Sequence, residues 1–189
     1  LKARLQAALT VGADIRYRGV HKPRTTVTNL RSAEQEPSVI STYLETEAKA
    51  GRIAGPFCSA PPGTVVSPVG LVAKKPVGSG FRMIHHLSYP RRPNAIQGDS
   101  INQHVDDTSY KLTTVSRAAD KIRSMGRRTW LLKIDVKAAF RCVPVRRQDW
   151  PLLGIYWQDK WWFEKSERLH SHQVTVTPVL VAATRIRTT

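Results

Sequence analysis

Apolar side chains recur at helical spacing in three stretches of this chain. The pattern predicts amphipathic helices over residues 1–13, over residues 39–50, and from Thr113 or Thr114 to Met125. The apolar stripe of the second helix consists of Ile40, Tyr43, Leu44 and Ala48. Ser38 is expected to cap that helix and Gly51 to end it, because serine accepts hydrogen bonds at helix starts and glycine suits helix ends. Gly126 is expected to end the third helix in the same way.

Other stretches have the alternation and composition of β-strands. The first predicted hairpin joins residues 69–75 to 81–87 around 76–80, the second joins 152–157 to 161–164 around 158–160, and a single buried strand covers 130–136. The aromatic residues of the second hairpin are expected to fill a sheet surface rather than to stack on bases. Between these elements, irregular connections are expected at residues 14–37, 52–67 and 88–112. The first of these, polar and basic, is expected to be exposed.

The charge balance predicts an anionic partner. The 189 residues include 30 Lys and Arg against 14 Asp and Glu, which gives a formal net charge of +16. The cations are spread along the chain, which favours a broad basic surface over a disordered tail. Such a surface suits a polyanion, either nucleic acid or an anionic membrane. No apolar run is long enough to span a membrane and no secretory signal opens the chain, so no membrane insertion is expected.

Two cysteines, Cys58 and Cys142, are far apart in the sequence and match no zinc-binding spacing. We expect both to be ordinary thiols in a reducing, intracellular compartment. The length predicts one domain, and because the first residue is leucine, the chain is expected to be a fragment or a processed product.

Two cations of the first hairpin are candidates for phosphate binding. If residues 76–80 form the loop, Lys74 lies opposite Arg82 on one face of the hairpin. Like charges in this arrangement are mildly destabilising unless an anion lies between them. A phosphate group suits the position, since arginine can bind two oxygens at once and lysine adds a point charge. The alternative is that both side chains extend into water.

An acid at the end of the predicted strand 130–136 is a candidate metal ligand. Asp135 follows an apolar strand and precedes two alanines and Phe140, a compact turn with little bulk over the carboxylate. A carboxylate in this position is typical of divalent metal sites. On this stretch alone an ion pair with Lys133 or a nearby arginine is favoured. The adjacent acids at 106 and 107 are interpreted as part of a solvated turn.

The ordered set of motifs resembles the reverse transcriptase of tyrosine-recombinase (DIRS-like) retrotransposons. The matching segments are GRIAGPF (51–57), SPVGLVAKK (67–75), FRMIHHLSYP (81–90), SIN (100–102), KIDVKAAFRCVP (133–144), GIYW (154–157) and WWF (161–163). Each segment alone is a weak signal, but their order over residues 40–164 is a strong one. The resemblance implies an α+β fold, a partial right-hand polymerase. Its fingers, a hairpin with helices, would cover about 40–125, and an incomplete antiparallel palm sheet would begin at 130.

The resemblance also implies an activity. Members of this family are RNA-directed DNA polymerases, nucleotidyltransferases that act on an RNA or DNA template-primer and deoxynucleoside triphosphates with two Mg²⁺ ions. Asp135 would be the catalytic metal ligand, with the Val136 carbonyl as a further ligand.

The same resemblance assigns nucleotide-binding roles. Lys74 and Arg82 would bind the triphosphate of the incoming nucleotide. Ala139 and Phe140 would contact the nucleotide, with Phe140 under the sugar, where it blocks a 2′-hydroxyl and favours deoxynucleotides.

The sequence departs from the family after Phe163. The family continues with a Leu-Pro-Phe-Gly type segment and an aromatic-x-Asp-Asp hairpin, and neither is found here. One carboxylate does not hold two Mg²⁺ ions about 4 Å apart against their repulsion. We therefore expect that this chain alone does not polymerise DNA.

The chain is accordingly divided into a basic N-terminal extension (1–37), the fingers and partial palm (38–165) and an unrelated tail (166–189). The tail has no aromatic residue and no glycine, which suggests a frameshift or a mis-spliced junction near Lys165 that puts the tail out of frame. Two alternatives to a truncated reverse transcriptase remain open, a non-catalytic basic module that binds nucleic acid and a degenerate pseudogene product. The oligomeric state is not predicted.

Overall fold

A computed structural model describes residues 2–20, 22–76, 78–92, 98–106, 114–126 and 139–166. The chain divides into two compact units. The first comprises the described residues of Leu1–Asp106 and Phe140–His170, and the second those of Asp107–Ala139 and Ser171–Thr189. The predicted strand at 130–136 and the tail after Ser166 lie outside the described residues.

The structure is a mixture of helices and antiparallel strands, as expected for the α+β class. The helices are α1 (Lys2–Thr10), α2 (Arg31–Gln35), α3 (Pro37–Lys49) and α4 (Val115–Met125), and the 3-10 turns are Ile101–His104, Ala139–Cys142 and Arg147–Leu153. The strands are β1 (Ile53–Phe57), β2 (Val69–Ala73), β3 (Phe81–His85), β4 (Gly154–Trp157) and β5 (Lys160–Glu164). None of the helices in the described part of the chain has the length and apolar character that a membrane span requires.

The three predicted helices are confirmed, with one different start. Helix α3 begins at Pro37 and has no side-chain cap, so the expected capping role of Ser38 is wrong. Proline is favoured in the first helical turn because its fixed φ suits a helix and its missing N–H would have no partner there. Helix α4, with its flanking residues, and Ala139 are the part of the second unit that the structure describes. At the start of α4, Thr114 accepts a hydrogen bond from the backbone N–H of Arg117, and at its end Gly126 follows the last turn with a φ of 79°.

The expectation of an exposed, irregular connection at residues 14–37 is partly wrong, because most of its described residues are exposed and irregular but a short helix interrupts it. Helix α2 lies in this stretch and buries Ala33 completely. Tyr17 pairs with Val105 and Arg24 pairs with Val65 through isolated backbone bridges. The partners are distant in the sequence, so the polar composition of the segment gave no sign of this pairing.

Strands β2 and β3 form the predicted hairpin, but in a different register. Ala73 lies opposite Phe81 and Val72 lies opposite Arg82, whereas the sequence predicted Lys74 opposite Arg82. The observed pairing is therefore shifted by two residues from the predicted one. The ladder extends to a hydrogen bond from the Lys74 N–H to the Gly80 carbonyl (2.9 Å), so the loop consists of residues 75–79 and not of residues 76–80. A shift of two leaves every side chain on its predicted face, since side chains alternate with period two.

The second sheet has the strand order β1–β5–β4, all antiparallel. Strand β1 lies in the stretch 52–67, so the loop predicted there is partly wrong. A bulge follows Ala54, and a Cβ on Gly55 would lie 2.7 Å from the carbonyl oxygen of Trp161. Glycine is required at this close approach of two backbones. The turn between β4 and β5 has two residues, Gln158 and Asp159, both with positive φ as in a type I′ turn.

Two apolar cores hold the first unit together. The larger consists of Ala33, Ile40, Leu44, Ile53, Val69, Leu71, Met83, Ile155, Trp157 and Trp162. The smaller consists of Val65, Leu87, Ile101, Val145, Leu152 and Leu153. The larger core packs α3 against both the β2–β3 hairpin and the three-stranded sheet, so the base of the hairpin is fixed on the body of the unit. The burial of Trp157 and Trp162 agrees with the expectation that these aromatics fill a sheet surface.

Candidate functional site

The two cations predicted to bind phosphate lie on the exposed face of the β2–β3 hairpin. Leu71 and Met83, paired across the hairpin, are buried on one face. Alternation places Lys74 and Arg82 on the opposite face, and both side chains are exposed. Their residues are diagonal neighbours, and such neighbours lie about 7–8 Å apart in antiparallel pairs.

Neither cation is neutralised by an acidic side chain within the described residues. Among the described residues, Lys74 and Arg82 form no ion pair and no side-chain hydrogen bond. Val72, the residue directly opposite Arg82, is apolar and half exposed. The hairpin therefore presents two like charges on neighbouring positions of one exposed face, on a backbone that the core holds in place.

Several of the matching sequence segments contact one another in the fold near this hairpin. Asn102 donates a hydrogen bond from Nδ2 to the hydroxyl of Ser88, 2.7 Å away, which joins the SIN segment to the end of the FRMIHHLSYP segment. Ile101 is buried in the smaller core, and the Ser100 N–H donates to Oε1 of Gln103 (2.9 Å). The His86 N–H donates to the Pro68 carbonyl (2.8 Å).

The predicted metal ligands Asp135 and Val136 lie outside the described residues. Ala139 and Phe140 begin the 3-10 turn Ala139–Cys142. Within the part of the chain that the structure describes, no group of three or more His, Cys, Asp or Glu side chains is arranged to hold a metal ion. Asp106 forms an exposed ion pair with Arg18 (3.2 Å), in agreement with the interpretation of that acid as part of a solvated turn.

An ionic cluster around Arg141 was not anticipated from the sequence. One guanidinium nitrogen, Nη2, lies 2.8 Å from Oε2 of Glu47 and 3.3 Å from Oε2 of Glu164. The other, Nη1, donates a hydrogen bond to the hydroxyl of Tyr43. Glu47 also binds Arg52 in a two-point contact, with Nε–Oε2 of 2.6 Å and Nη2–Oε1 of 2.9 Å, and this contact raises the pKa of Arg52. The only signal in the sequence was the position of Arg141 next to Phe140.

The chain resembles solved reverse transcriptases in structure. The protease-reverse transcriptase of prototype foamy virus matches with a TM-score of 0.51 and 17% identity, over 85% of this chain and 19% of that one. A structure of the foamy viral protease-reverse transcriptase in complex with dsDNA matches with a TM-score of 0.48 and 16% identity, over 81% of this chain and 27% of that one. No family model and no curated protein matches the sequence.

The first of these likenesses defines the class of fold. The chain has a reverse-transcriptase-like fold, a partial polymerase fold of helices and antiparallel sheets. It spans about a fifth of the length of the foamy virus protein it matches. At this level of identity the likeness concerns the fold, and the DIRS-like subfamily rests on the sequence segments alone.

Proposed function

We propose that this chain is the nucleotide-binding fingers and first palm segment of a reverse transcriptase from a DIRS-like retrotransposon. The observation that carries the proposal is the pair of exposed cations Lys74 and Arg82 on one face of a hairpin fixed by the core. The reverse-transcriptase-like fold and the order of the sequence segments support it.

The chemistry of each residue suits a deoxynucleoside triphosphate. The planar guanidinium of Arg82 can donate two parallel hydrogen bonds to phosphate oxygens, while the ammonium of Lys74 adds a compact charge. The Asp135 carboxylate and the Val136 carbonyl are oxygen ligands of the kind Mg²⁺ prefers, and the ion supplies charge neutralisation at the phosphates when bound. Ala139 and Phe140 would contact the sugar.

Polymerisation requires more than these residues. Two-metal phosphoryl transfer needs carboxylates that bridge both ions, and Asp135 is one carboxylate of such a set. We therefore propose nucleotide and template-primer binding for this chain, and no polymerisation by this chain alone. A basic surface with a net charge of +16 supports the interaction with RNA or DNA.

The test is a titration of the purified chain with a deoxynucleoside triphosphate in the presence of Mg²⁺, measured by calorimetry. Arg82→Ala is expected to weaken binding about 10- to 100-fold, since a hydrogen bond to a charged group contributes about 1.5–3 kcal/mol. Lys74→Ala is expected to weaken it by a smaller factor. Lys75→Ala is the matched control, because it removes the same charge from the same exposed hairpin and is expected to have little effect.

Equal weakening by all three substitutions would contradict the proposal. It would indicate that binding depends on overall charge, as for a non-catalytic basic module. Such a module binds nucleic acid with an affinity that falls steeply with salt and does not respond to nucleotide or magnesium. Binding of DNA by the Arg82→Ala chain at a series of salt concentrations separates the two functions, because the proposed site predicts nearly unchanged DNA affinity.

A further inference from the structure

Arg24, in the N-terminal segment, reaches both ends of the β2–β3 hairpin. Its Nε donates a hydrogen bond to the carbonyl of Val66 (2.8 Å), which precedes β2, and its Nη2 donates one to the carbonyl of Tyr89 (3.3 Å), which follows β3. The guanidinium also lies over the Tyr89 ring, 5.3 Å from the ring centroid. One side chain therefore joins the chain that enters the hairpin to the chain that leaves it.

The backbone of Arg24 is fixed as well. Its N–H donates to the Thr64 carbonyl (2.8 Å), and the Val66 N–H donates to the Arg24 carbonyl (2.7 Å). Val66 is fully buried, and a buried carbonyl needs a donor, which Nε of Arg24 supplies. Burial lowers the pKa of Arg24, because it disfavours the charged form. A half-buried guanidinium attached in this way has little freedom to follow a movement of the hairpin.

The alternation of side chains leaves two registers open to this hairpin. In the observed register Val72 lies opposite Arg82, and in a register slipped by two residues Lys74 would lie there. Both registers keep Leu71 and Met83 on the same face, and both close a loop of five residues, either 75–79 or 76–80. Neither the choice of face nor the length of the loop distinguishes them, whereas contacts at the open end of the hairpin do.

The contact of Arg24 is compatible with the observed register only. The slip would move β3 along β2 by two residues, which is about 7 Å. Tyr89 would move by the same distance relative to Val66, and the rigid fork of one guanidinium could not keep both carbonyls. The backbone hydrogen bond from the His86 N–H to the Pro68 carbonyl (2.8 Å) would find a new partner in the slipped ladder, but the bridge made by Arg24 would not.

We propose that Arg24 is a positioning residue that selects the register of the β2–β3 hairpin and so sets the spacing of Lys74 and Arg82. In the observed register these cations are diagonal neighbours, about 7–8 Å apart, and in the slipped one they would be directly opposed, about 4.5–5.5 Å apart. The consequence for nucleotide binding rests on the proposed function. The selection of the register does not, because it concerns the hairpin alone.

The experiment traps each register with a disulfide, in a chain in which Cys58 and Cys142 are replaced by serine. Directly opposite residues have Cα atoms about 4.5–5.5 Å apart, within the range of about 4.4–6.8 Å that a disulfide bridges. Ala73→Cys with Phe81→Cys reports the observed register, in which these residues are opposite. Lys75→Cys with Phe81→Cys reports the slipped register. Both pairs leave Lys74 and Arg82 in place.

In the chain that keeps Arg24, the cross-link between positions 73 and 81 is expected to form and that between 75 and 81 to be negligible. Arg24→Lys retains the charge but loses the fork. It is expected to raise the ratio of the slipped to the observed cross-link about 10- to 100-fold, the factor that corresponds to one hydrogen bond to a charged group. Arg16→Lys is the matched control, because it makes the same change on an exposed arginine of the same segment, and the ratio is expected to stay unchanged.

A second variant keeps the test decisive if Arg24→Lys does not fold. Tyr89→Leu removes the ring beneath the guanidinium but leaves both carbonyls, and it is expected to raise the ratio by a smaller factor. A deoxynucleoside triphosphate with Mg²⁺ is then expected to lower the raised ratio, since a ligand that binds one register more tightly shifts the population toward it.

An unchanged ratio in folded Arg24→Lys or in Tyr89→Leu would overturn the inference, and so would an equal rise in Arg16→Lys. A nucleotide that binds without lowering the raised ratio would overturn the link between the register and the spacing that the nucleotide needs. Absence of nucleotide binding by the unaltered chain would overturn the proposed function instead. The cross-links formed without nucleotide would still decide the role of Arg24, which distinguishes the two failures.

Discussion

Leu44 is the residue whose truncation tests the central packing of the first unit. It is fully buried in the larger core, where α3 meets the β2–β3 hairpin and the three-stranded sheet. Leu44→Ala deletes three carbon atoms and leaves a cavity lined by residues that a rigid sheet holds in place. Removal of three buried methylene-sized groups costs about 2.4 kcal/mol in transfer free energy, at roughly 0.8 kcal/mol each. With the cavity, Leu→Ala substitutions in cores cost about 2.7–5 kcal/mol.

The chain offers a matched control in Leu9, which is 50% exposed on α1. Because half of its surface is already in water, Leu9→Ala is expected to cost about 1 kcal/mol or less. Urea unfolding followed by tryptophan fluorescence gives both free energies, and Trp157 and Trp162 report from the same core as Leu44. At a urea slope of about 1–3 kcal/mol per molar, the midpoint of Leu44→Ala is expected to fall by about 1–5 M.

The reasoning is refuted if Leu44→Ala and Leu9→Ala lower the free energy of unfolding by the same amount. Equal costs would mean that α3 does not pack on the sheet and hairpin as described, and the fixed base of the hairpin would lose its support. A change in slope without a change in midpoint would instead point to an altered unfolded state.

Two further substitutions test the N-terminal segment and a partly buried histidine. Gly12→Ala is expected to lower the midpoint of urea unfolding more than Gly51→Ala, since both glycines have positive φ but only at position 12 would a Cβ meet backbone, 2.5 Å from the nitrogen of Arg146. Equal effects would show that the N-terminal segment is not docked there. Burial, and then the nearby Arg91 charge, lower the pKa of His86 below its usual 6.5. The unfolded chain then binds the proton first, so stability is full above pH 6.5 and falls as the pH drops toward the lowered value. His86→Gln is expected to flatten that part of the curve, and parallel curves would contradict the assignment.

The faces of the β2–β3 hairpin followed from the sequence, and its register did not. Alternation of apolar and polar residues placed Lys74 and Arg82 on the same exposed side. Two registers that differ by two residues satisfy that alternation equally well. The register depends on which residues form the last backbone hydrogen bond before the loop. In the structure this bond joins the Lys74 N–H to the Gly80 carbonyl.

Strand β1 shows why a strand can be missed in a stretch rich in glycine and proline. Ile53–Phe57 pairs with Lys160–Glu164, more than a hundred residues further along the chain. Its bulge and its glycine follow from the close approach of Trp161, which no local pattern encodes. The strand exists because of its partner, and its own propensity is weak.

The sequence by itself determined helices α1, α3 and α4, the exposed face of the first hairpin and the resemblance to reverse transcriptases, because these depend on spacing and on the order of short segments. The tertiary structure decided the register, the pairing of β1 and the cluster of Arg141 with Glu47 and Glu164. The register depends on where a short ladder closes, whereas the pairing of β1 and the Arg141 cluster join residues that are far apart in the chain. Such contacts form only when the apolar cores bring the elements together, so no local pattern predicts them.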